Sequence, residues 1–430
     1  MTVKGNGYGL RFFAPEPRAG IKGFLTRHIY RFLARYPFLD LGQDCAIKSS
    51  STTYRISKGD IMAESEVKVV AWGPLKEFTK EVFVRAGMPP EDAEAEAGAL
   101  IWANLRAVDS HGVLRIPWYL DNIEKGVMNP KPNIQVIKET PATILLDADR
   151  ALGPVVTIKV VNMVVAKAKK MGICWAIIRN LTHQGALGYY SQMMAEKGMA
   201  GIVFVSNPPN MAPFGARVPG VHNSPIAISV PGKRHRPLNL DMATSVVAGG
   251  KLWLAVDKNI PIPEGWALDK DGNPTTDPRN VGALLPFGGP KGSGLAMMFE
   301  CLASVMAGNP VVEPVLSGRE VGPPAEGKKE QAVGERLSWV PKHIQNSVVA
   351  AIDISTFTDL ESYKEHIDNL IDGVKALPRA DGFSEIFVPG EPEERTFVER
   401  SKNGIPLPEG TIRNLIAVSE KLGVKLPPGL

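Results

Sequence analysis

Apolar residues recur at helical spacing in the section of the chain that follows residue 61. They predict one helix over Leu75–Ala86 and a second that begins at Pro89-Pro90-Glu91-Asp92 and runs through Val108. Proline and acidic residues are favoured in the first turn of a helix, which supports this start. A third helix is predicted over Trp118–Lys125, and extended segments follow over residues 134–136 and 142–147.

From Gly153 onward the pattern changes to helices that alternate with short apolar strands. Helices are predicted over residues 153–170, 187–196, 245–256, 292–307 and 360–377, and strands over 174–178, 201–205, 226–230, 238–240 and 348–354. Residues 261–289 and 310–345 are rich in Pro, Gly and charged residues and are predicted to be loops, and two further helices end the chain. This alternation predicts an α/β domain, but it does not give the order of the strands.

The excess of positive charge lies in the first 61 residues. They carry ten Lys or Arg and four Asp or Glu, whereas the rest of the chain carries 39 and 41. Their one helix-like stretch, Ile21–Tyr36, is apolar and bears arginines. Three interpretations stay open: a transit peptide, a helix on a membrane surface, or a stretch translated from a misassigned start codon upstream of Met62. We favour the last, and treat residues 1–61 as an extension that need not be native.

Composition narrows the class of protein. The formal net charge of +4 is too small to indicate a nucleic-acid partner, and no apolar run approaches the ~20 residues that cross a bilayer. The cysteines, Cys45, Cys174 and Cys301, are far apart and lack the spacing of metal ligands. Such a sparse set is typical of free thiols in a reducing cytoplasm. We therefore expect a cytoplasmic globular protein with no membrane or nucleic-acid partner.

Two segments have the residue types of a nucleotide site, although G-x-G-x-x-G is absent after every predicted strand. Pro286–Gly294 is rich in glycine, opens a helix and includes Lys291, so it offers backbone N–H groups and one positive charge to a phosphate. Asp241–Ser245 turns from a strand to a helix, and its hydroxyls either cap that helix or bind a cofactor. Taken alone, both segments are explained more simply by ordinary turn chemistry and helix capping.

Two histidines lie where loops follow regular elements. His111 comes just past a helix end, with Arg115 four residues later, and His183 follows a strand. An imidazole transfers protons near neutral pH, and a guanidinium binds a carboxylate through two hydrogen bonds. A packed histidine and a solvated arginine would give the same pattern. A further alternative is a hydrolytic metal site built from His111, His183, His222 and Asp241. The chain lacks the H-E-x-x-H motif that would support such a site.

These segments occur in the same order as in the type-2 malate/L-lactate dehydrogenase family, which the sequence resembles. This resemblance decides between the alternatives. The similarity extends from about Leu75 to near the C-terminus. The matching segments are residues 109–117 (DSHGVLRIP), 180–185 (NLTHQG), 207–215 (NPPNMAPFG), 240–247 (LDMATSVV), 263–277 (PEGWALDKDGNPTTD) and 285–295 (LPFGGPKGSGL).

The resemblance implies an NAD(P)-dependent oxidoreductase that interconverts a small 2-oxo acid and its 2-hydroxy acid. The implied fold is α/β, with a non-Rossmann NAD(P)-binding arrangement and a mixed sheet flanked by helices, in a homodimer. We expect residues 151–309 to form the NAD(P)-binding domain. Residues 62–150 with 310–430 then form a helical domain for substrate binding and dimerisation.

The resemblance also assigns site residues. His111, with Ser110 beside it, falls on the family's proton donor, Arg115 on a carboxylate contact and His183 on a second active-site histidine. The cofactor is NAD or NADP, with NAD favoured, and no metal is implied. Cofactor contacts are expected at Ser206, Asn207, Leu240, Asp241, Met242, Ala243, Pro290, Lys291, Gly390 and Glu391.

The chain departs from the family in three segments, one of which is the extended loop 310–345 that is expected to reshape the pocket. Val205-Ser206-Asn207 stands where the family often has Thr-Asn-Ser, and His222-Asn223-Ser224-Pro225 stands where it commonly has Gly-Thr-Asn-Pro. Two other functions remain: reduction of a cyclic imine carboxylate, in which an acidic residue takes the place of Lys251, and an inactive dinucleotide-binding protein. The basic run Lys233–Arg236 is able to meet a 2′-phosphate, although a solvated loop is the simpler interpretation.

Overall fold

A computed structural model describes residues 2–5, 8–11, 44–48, 53–57, 68–257, 259–319 and 344–430. The chain divides into two compact units, Met1–Val67 and Lys68–Leu430. In the first unit four strands form an antiparallel sheet of order β2-β1-β3-β4. The helix predicted over Ile21–Tyr36 lies outside the described residues. The strands are β1 (Thr2–Gly5), β2 (Tyr8–Arg11), β3 (Asp44–Lys48) and β4 (Thr53–Ser57).

The second unit contains the helices and strands that carry the candidate site. Its helices are α1 (Trp72–Arg85), α2 (Pro90–Leu105), α3 (Ile116–Glu124), α4 (Gly153–Met171), α5 (Gly188–Ala195), α6 (Gly249–Asp257), α7 (Pro290–Phe299), α8 (Glu313–Leu316), α9 (Leu360–Lys375), α10 (Glu391–Asn403) and α11 (Glu409–Leu422). Its strands are β5 (Lys68–Val70), β6 (Gln135–Glu139), β7 (Thr143–Asp147), β8 (Ile173–Leu181), β9 (Met199–Ser206), β10 (Ile226–Val230), β11 (Leu238–Met242), β12 (Ala267–Leu268), β13 (Pro274–Thr275), β14 (Ala283–Leu284), β15 (Gln345–Asp353) and β16 (Ile405–Leu407).

A seven-stranded mixed sheet is the centre of this unit. Its order is β11-β10-β9-β15-β8-β7-β6, in which only β7 and β8 are parallel neighbours. The late strand β15 lies between β9 and β8 and is buried along nearly its whole length. Strands covered on both faces are rich in apolar residues, and the stretch Val348–Ile352 of β15 is apolar at every position. The α/β class with a mixed sheet and flanking helices is therefore confirmed.

Helices cover both faces of the sheet. On one face, α4 and α5 pack against the strands through side chains that include the fully buried Val160, Val161 and Val164. Burying one such side chain stabilises the fold by roughly 1.5–3 kcal/mol. On the other face, α7 and the π-helical turn after it contribute Phe299 and Ala303. A separate helical core joins α1, α2, α3 and α11. Within the described residues, no helix is long and apolar enough to cross a membrane.

Three of the differences from the sequence prediction concern the part of the chain that follows β11. Helix α6 begins at Gly249 and not at Ser245, because Ser245 pairs with Pro286 in a β-bridge and Val246 donates to the carbonyl of Leu285. The segment 261–289, predicted to be a loop, contains the small sheet β13-β12-β14. The predicted loop 310–345 contains the short helix α8, and its residues 320–343 lie outside the described part.

Candidate active site

A cavity of about 960 Å³ opens between the sheet's β9–β11 edge and the helices that precede it in sequence. This volume is at the upper end of small-molecule and cofactor pockets. Ten of the site residues expected from the sequence lie in its wall. They are Ser110, His111, Arg115, His183, Asn207, Leu240, Asp241, Met242, Ala243 and Gly390.

The turn that carries His111 is fixed by the buried side chain of Asn104, near the end of α2. The Asn104 amide accepts a hydrogen bond from the backbone N–H of Val113 (2.8 Å) and donates to the Asp109 carboxylate (2.7 Å). Arg400 also donates to Asp109. A Cβ on Gly112 would lie 2.2 Å from the Asn104 amide oxygen, so this position has no room for a side chain. Local hydrogen bonds therefore hold His111 in place before any ligand binds.

His111 is a neutral imidazole in this environment. Burial and, to a smaller extent, the positive charge of Arg115 lower its pKa to about 3. The Ser110 hydroxyl lies 2.9 Å from Nδ1 of His111. Arg115 donates through Nε to the carbonyl of Ser110 (2.7 Å), which ties the guanidinium to the same turn. A neutral histidine is in the form that accepts a proton, and the charge of Arg115 weakens its affinity for that proton until an anion binds.

His183 lies against His111. The two imidazole rings are stacked, with their centroids 5.4 Å apart and their planes 12° from parallel. Nδ1 of His183 lies 2.7 Å from the Tyr119 hydroxyl and 3.3 Å from the backbone nitrogen of Gly185. Since a backbone N–H only donates, Nδ1 of His183 is an acceptor, and the proton of the neutral ring is on Nε2. The tautomer of His183 is thus set by its neighbours.

Arg115 is buried between aromatic rings. Its guanidinium carbon lies 4.3 Å from the ring centroid of Trp253 and 5.7 Å from that of Trp118. Trp253 comes from α6, which approaches closely because Gly250 has no side chain: a Cβ there would lie 2.4 Å from Cβ of Ser110. Burial lowers the pKa of Arg115, yet a guanidinium remains charged in proteins. The cavity therefore offers a desolvated, rigid cation beside the two histidines.

The strip Leu240–Ala243 lines the cavity at the end of β11, next to the loop that contains Gly390. The backbone of Asn239 donates to the carbonyl of Pro389, which joins this strip to that loop. The carboxylate of Asp241 accepts the backbone N–H of Gly188 (2.7 Å) at the start of α5, and burial raises its pKa to about 6. Backbone groups of the strip Leu240–Ala243 and of the loop that contains Gly390 thus border the cavity.

The wall fits a nicotinamide dinucleotide in size and in its polar groups. The side-chain oxygen of Asn207 and Nη1 of Arg106 are buried in the wall, and neither has a hydrogen-bond partner within the described residues. Buried polar groups are nearly always paired, so unpaired ones in a cavity wall indicate a polar ligand. A carboxamide and the sugar-phosphate groups of a dinucleotide supply donors and acceptors of the required kinds.

Four expected cofactor contacts lie elsewhere. Ser206 is fully buried, and its hydroxyl donates to Glu300 (2.7 Å). Glu391 is paired with Lys375 and Arg395. Pro290 and Lys291 begin α7 and are not in the wall of this cavity. The adjacent Gly292 packs against backbone, since a Cβ there would lie 2.4 Å from the carbonyl oxygen of Thr244. Close packing accounts for that glycine.

Sequence reasoning missed several residues of the wall. It also missed Tyr119, a buried residue whose hydroxyl meets His183. Trp118 follows the turn of Arg115, whereas Trp253 reaches the site only through the packing of α6. His111, His183, His222 and Asp241 all line the cavity. In the part of the chain that is described, no group of three or more His, Cys, Asp or Glu is arranged to hold a metal ion.

Comparison with known proteins agrees with this geometry. The malate/L-lactate dehydrogenase family model matches residues 70–416. The L-sulfolactate dehydrogenase of Methanocaldococcus jannaschii is 37% identical over 353 residues, which are 82% of this chain and 96% of that protein. Its solved structure matches with a TM-score of 0.71, covering 83% of this chain and 98% of that one.

Two other solved structures have the same fold. The malate dehydrogenase of Pyrococcus horikoshii is 33% identical, with a TM-score of 0.72 and coverage of 86% of this chain and 99% of that one. The delta1-piperideine-2-carboxylate reductase of Pseudomonas syringae is 27% identical, with a TM-score of 0.67 and coverage of 82% and 99%. Since the family model and these relatives span most of the chain, the protein belongs to the malate/L-lactate dehydrogenase family.

Proposed function

We propose that the cavity binds a nicotinamide cofactor and a small 2-hydroxy acid and interconverts the acid with its 2-oxo form. The observation that carries this proposal is the stack of His111 and His183 beside the buried guanidinium of Arg115. The relatives named as sulfolactate and malate dehydrogenases act on acids of this kind, which supports the substrate class. The chain is therefore an oxidoreductase acting on a CH–OH group.

Arg115 holds the C1 carboxylate of the substrate. A guanidinium binds a carboxylate through two parallel hydrogen bonds and fixes its orientation. Because Arg115 is buried and tied to Ser110, the carboxylate fixes C2 and its oxygen relative to the histidines. Such positioning accounts for a large part of the barrier reduction in bimolecular reactions.

His111 moves the proton at the C2 oxygen. In the free protein His111 is neutral, because burial and Arg115 both lower its pKa. A bound carboxylate offsets the charge of Arg115 and so raises the affinity of His111 for a proton. His111 then takes the hydroxyl proton during oxidation and returns it during reduction. His183, whose tautomer Tyr119 and Gly185 fix, is the alternative proton carrier.

Asn207, the strip Leu240–Ala243 and Gly390 are the residues that would hold the cofactor. When bound, a nicotinamide ring would accept a hydride from C2 of the hydroxy acid or donate one to C2 of the oxo acid. The chain contributes orientation, and the aromatic side chains of Trp118 and Trp253 exclude water from the region around Arg115.

Reduction of a cyclic imine carboxylate is the second candidate. One structural relative has this activity in its name. Lys251 lines the cavity where the imine-reducing branch has an acidic residue, and a lysine does not stabilise an iminium nitrogen. This residue favours oxygen chemistry over imine chemistry.

The test is oxidation of NADH and of NADPH by the purified protein with pyruvate, oxaloacetate, sulfopyruvate, diketogulonate and a cyclic imine carboxylate. We expect turnover on at least one 2-oxo acid. His111→Asn should lower kcat about 10²- to 10⁴-fold, the usual contribution of a general acid–base group. The matched control is His366→Asn, since His366 is exposed on α9 outside the cavity, and it should leave kcat unchanged. Turnover on the imine alone would contradict the proposal.

We also propose a homodimer, with residues 151–309 as the cofactor domain and residues 62–150 with 310–430 as the helical domain. Four large apolar side chains in and after α7 are more than half exposed in the single chain, which supports a covered surface: Met297, Met298, Val305 and Met306. Sedimentation velocity should give twice the mass of the chain. A single species at monomer mass would contradict this assembly.

A further inference from the structure

We infer that Glu394 and Arg106 bind the ribose of the adenosine half of the cofactor and select NAD(H) over NADP(H). Their side chains form a largely buried ion pair in which one acceptor atom and one donor atom each lack a hydrogen-bond partner within the described residues. Two neighbouring hydroxyl groups, such as the 2′- and 3′-hydroxyls of a ribose, supply the matching donor and acceptor. This inference rests on the proposed function and deepens it, because it names residues that recognise the same cofactor.

The acceptor is Oε1 of Glu394. The other oxygen of this carboxylate accepts a hydrogen bond from Nη2 of Arg106 at 2.9 Å. Oε1 is buried, and its contact of 3.2 Å with Nε of Arg236 does not have the geometry of a hydrogen bond. A buried acceptor without a donor is costly, and a ligand hydroxyl would satisfy it. A phosphate would not, since at neutral pH its oxygens are mostly acceptors as well.

The donor is Nη1 of Arg106. The guanidinium carbon lies 4.4 Å from the ring centroid of Trp102 and 4.4 Å from that of Phe397, so the group is held between two rings. The residue is 5% exposed, and Nη1 has no hydrogen-bond partner in the described part of the chain. A guanidinium nitrogen only donates, and the oxygen of a second hydroxyl is an acceptor for it. Because Nη2 is bound to Glu394, the unsatisfied donor and acceptor belong to the same ion pair.

A side chamber beside the ion pair offers room for the adenine ring. This second cavity of about 200 Å³ shares Trp102, Arg106 and Arg236 with the wall of the main cavity. Tyr189 and Phe397 also line it, so three of its wall residues are aromatic. Nucleobases stack on aromatic side chains, and a water molecule takes only roughly 30 Å³. A ribose bound by the ion pair would thus have a place for its base next to it.

The charges around the ion pair oppose a 2′-phosphate. The two cations in the wall, Arg106 and Arg236, face the carboxylate of Glu394. Two more carboxylates lie close by, since Glu393 lines the cavity and Glu196 lines the side chamber. This end of the cavity therefore has no excess of positive charge. A phosphate with close to two negative charges would meet the unsatisfied oxygen of Glu394 and be repelled, whereas an uncharged hydroxyl is not.

The basic run Lys233–Arg236 does not change this balance. Backbone N–H groups of its first three residues donate to the carboxylate of Asp368 on α9, at 2.7–3.2 Å. The side chains of the same three residues pair with acids of that helix, among them Asp372. Arg236 is the residue of the run that lines the cavity. The run therefore brings one cation to the cavity, and its other polar groups are used within the fold.

Strand β11 separates the ion pair from the nicotinamide end of the cavity. Arg236 lies two residues before β11 and Ala243 directly after it, and both line the cavity. The five residues of the strand span about 16 Å. Since β9 and β11 both run antiparallel to β10, Asn207, which follows β9, lies at the Ala243 end. The unpaired oxygen of Asn207 suits the nicotinamide carboxamide, so the adenosine half extends toward Arg236 and Glu394.

Isothermal titration calorimetry on the full chain tests this inference without relying on turnover. We expect the wild type to bind NADH at least about 10-fold more tightly than NADPH, the value of one hydrogen bond to a charged group. Glu394→Gln removes the negative charge at nearly constant shape. It should weaken NADH binding about 10-fold and leave NADPH binding unchanged or tighter, so that the preference is lost. Glu399→Gln is the matched control and should change neither affinity, because it removes the same charge from an exposed position of α10 outside the wall of the cavity.

A competition experiment on the wild type decides the question even if Glu394→Gln does not fold. Adenosine 5′-monophosphate should displace NADH, and its 2′-deoxy form should do so about 10-fold more weakly, because it lacks the hydroxyl that Oε1 of Glu394 accepts. Adenosine 2′,5′-bisphosphate should also compete more weakly than adenosine 5′-monophosphate. Equal competition by the 2′-deoxy form, or stronger competition by the bisphosphate, would overturn the inference.

The outcomes separate this inference from the proposed function. Binding of NADPH as tight as that of NADH in the wild type, or an unchanged preference for NADH in Glu394→Gln, would overturn the inference and leave the oxidoreductase proposal standing. Binding of neither nucleotide would overturn both.

Discussion

The hydroxyl of the buried Tyr119 lies 2.7 Å from Nδ1 of His183, whose ring lines the cavity and stacks on His111. Since Nδ1 also accepts the backbone N–H of Gly185, Tyr119 is the donor in this contact and keeps the proton of His183 on Nε2. Burial raises the pKa of Tyr119 well above its usual value, so the phenol stays protonated across the working pH range.

Tyr119→Phe should therefore weaken control of the His183 tautomer without altering Arg115. We expect kcat/KM to fall about 10-fold, as for the loss of one hydrogen bond. Imidazole ¹⁵N shifts of His183 should show a mixture of tautomers in the variant and one tautomer in the wild type. A single unchanged tautomer in Tyr119→Phe would show that Gly185 alone sets it.

His111 should make the stability of the fold depend on pH. Its pKa is about 3 in the folded protein and 6.5 in the unfolded chain, so between these values the unfolded state binds more protons. The free energy of unfolding contributed by His111 is complete above pH 6.5 and is lost as the pH falls toward 3. The free energy of unfolding, measured in urea at several pH values across this window, should depend less steeply on pH in His111→Asn than in the wild type. The difference in slope should correspond to up to one proton. Equal slopes in both proteins would contradict a buried neutral His111.

Glu96 should have the opposite dependence. Both of its carboxylate oxygens are buried without a hydrogen-bond partner in the described part of the chain, and burial raises its pKa to about 8 from 4.5. The folded state thus binds the extra proton between pH 4.5 and 8, and the contribution of Glu96 to stability declines as the pH rises through this range. Glu96→Gln should be more stable than the wild type at pH 8.5, with a smaller difference at pH 5. If the free energies of unfolding of Glu96→Gln and the wild type differ by the same amount at pH 5 and pH 8.5, Glu96 does not titrate in this range.

Local sequence could place only one segment of this site, the one that carries His111 and Arg115. These two residues are four apart, and two 3₁₀ turns joined by the extended Gly112 bring both to the cavity. Trp253 and Arg106 could not be found this way, since their contacts depend on α6 and α10 packing against that stretch. Lys291 shows the converse case: its Gly-rich segment had a nucleotide-like composition, but the segment packs its glycine against the backbone of Thr244.

The sheet shows the same division between local and long-range information. The strand at 226–230 was predicted with its observed bounds, because apolar residues and flanking turns define it locally. The position of β15 between β9 and β8 was not predictable, since it joins residues more than a hundred positions apart. A strand's neighbours depend on long-range packing that its own sequence does not encode.

Asn207 and His222 should behave as a coupled pair, because both line the cavity and their side chains meet at 3.2 Å. Asn207→Ser or His222→Ala alone leaves one buried polar group without its partner, at a cost of about 1–3 kcal/mol in the free energy of unfolding. The double variant should lose less than the sum of the two, with a coupling of about 1 kcal/mol in urea unfolding. Additive losses within about 0.5 kcal/mol would mean that the two side chains are independent. Coupling would instead show that the hydrogen bond between Asn207 and His222 stabilises this part of the cavity wall.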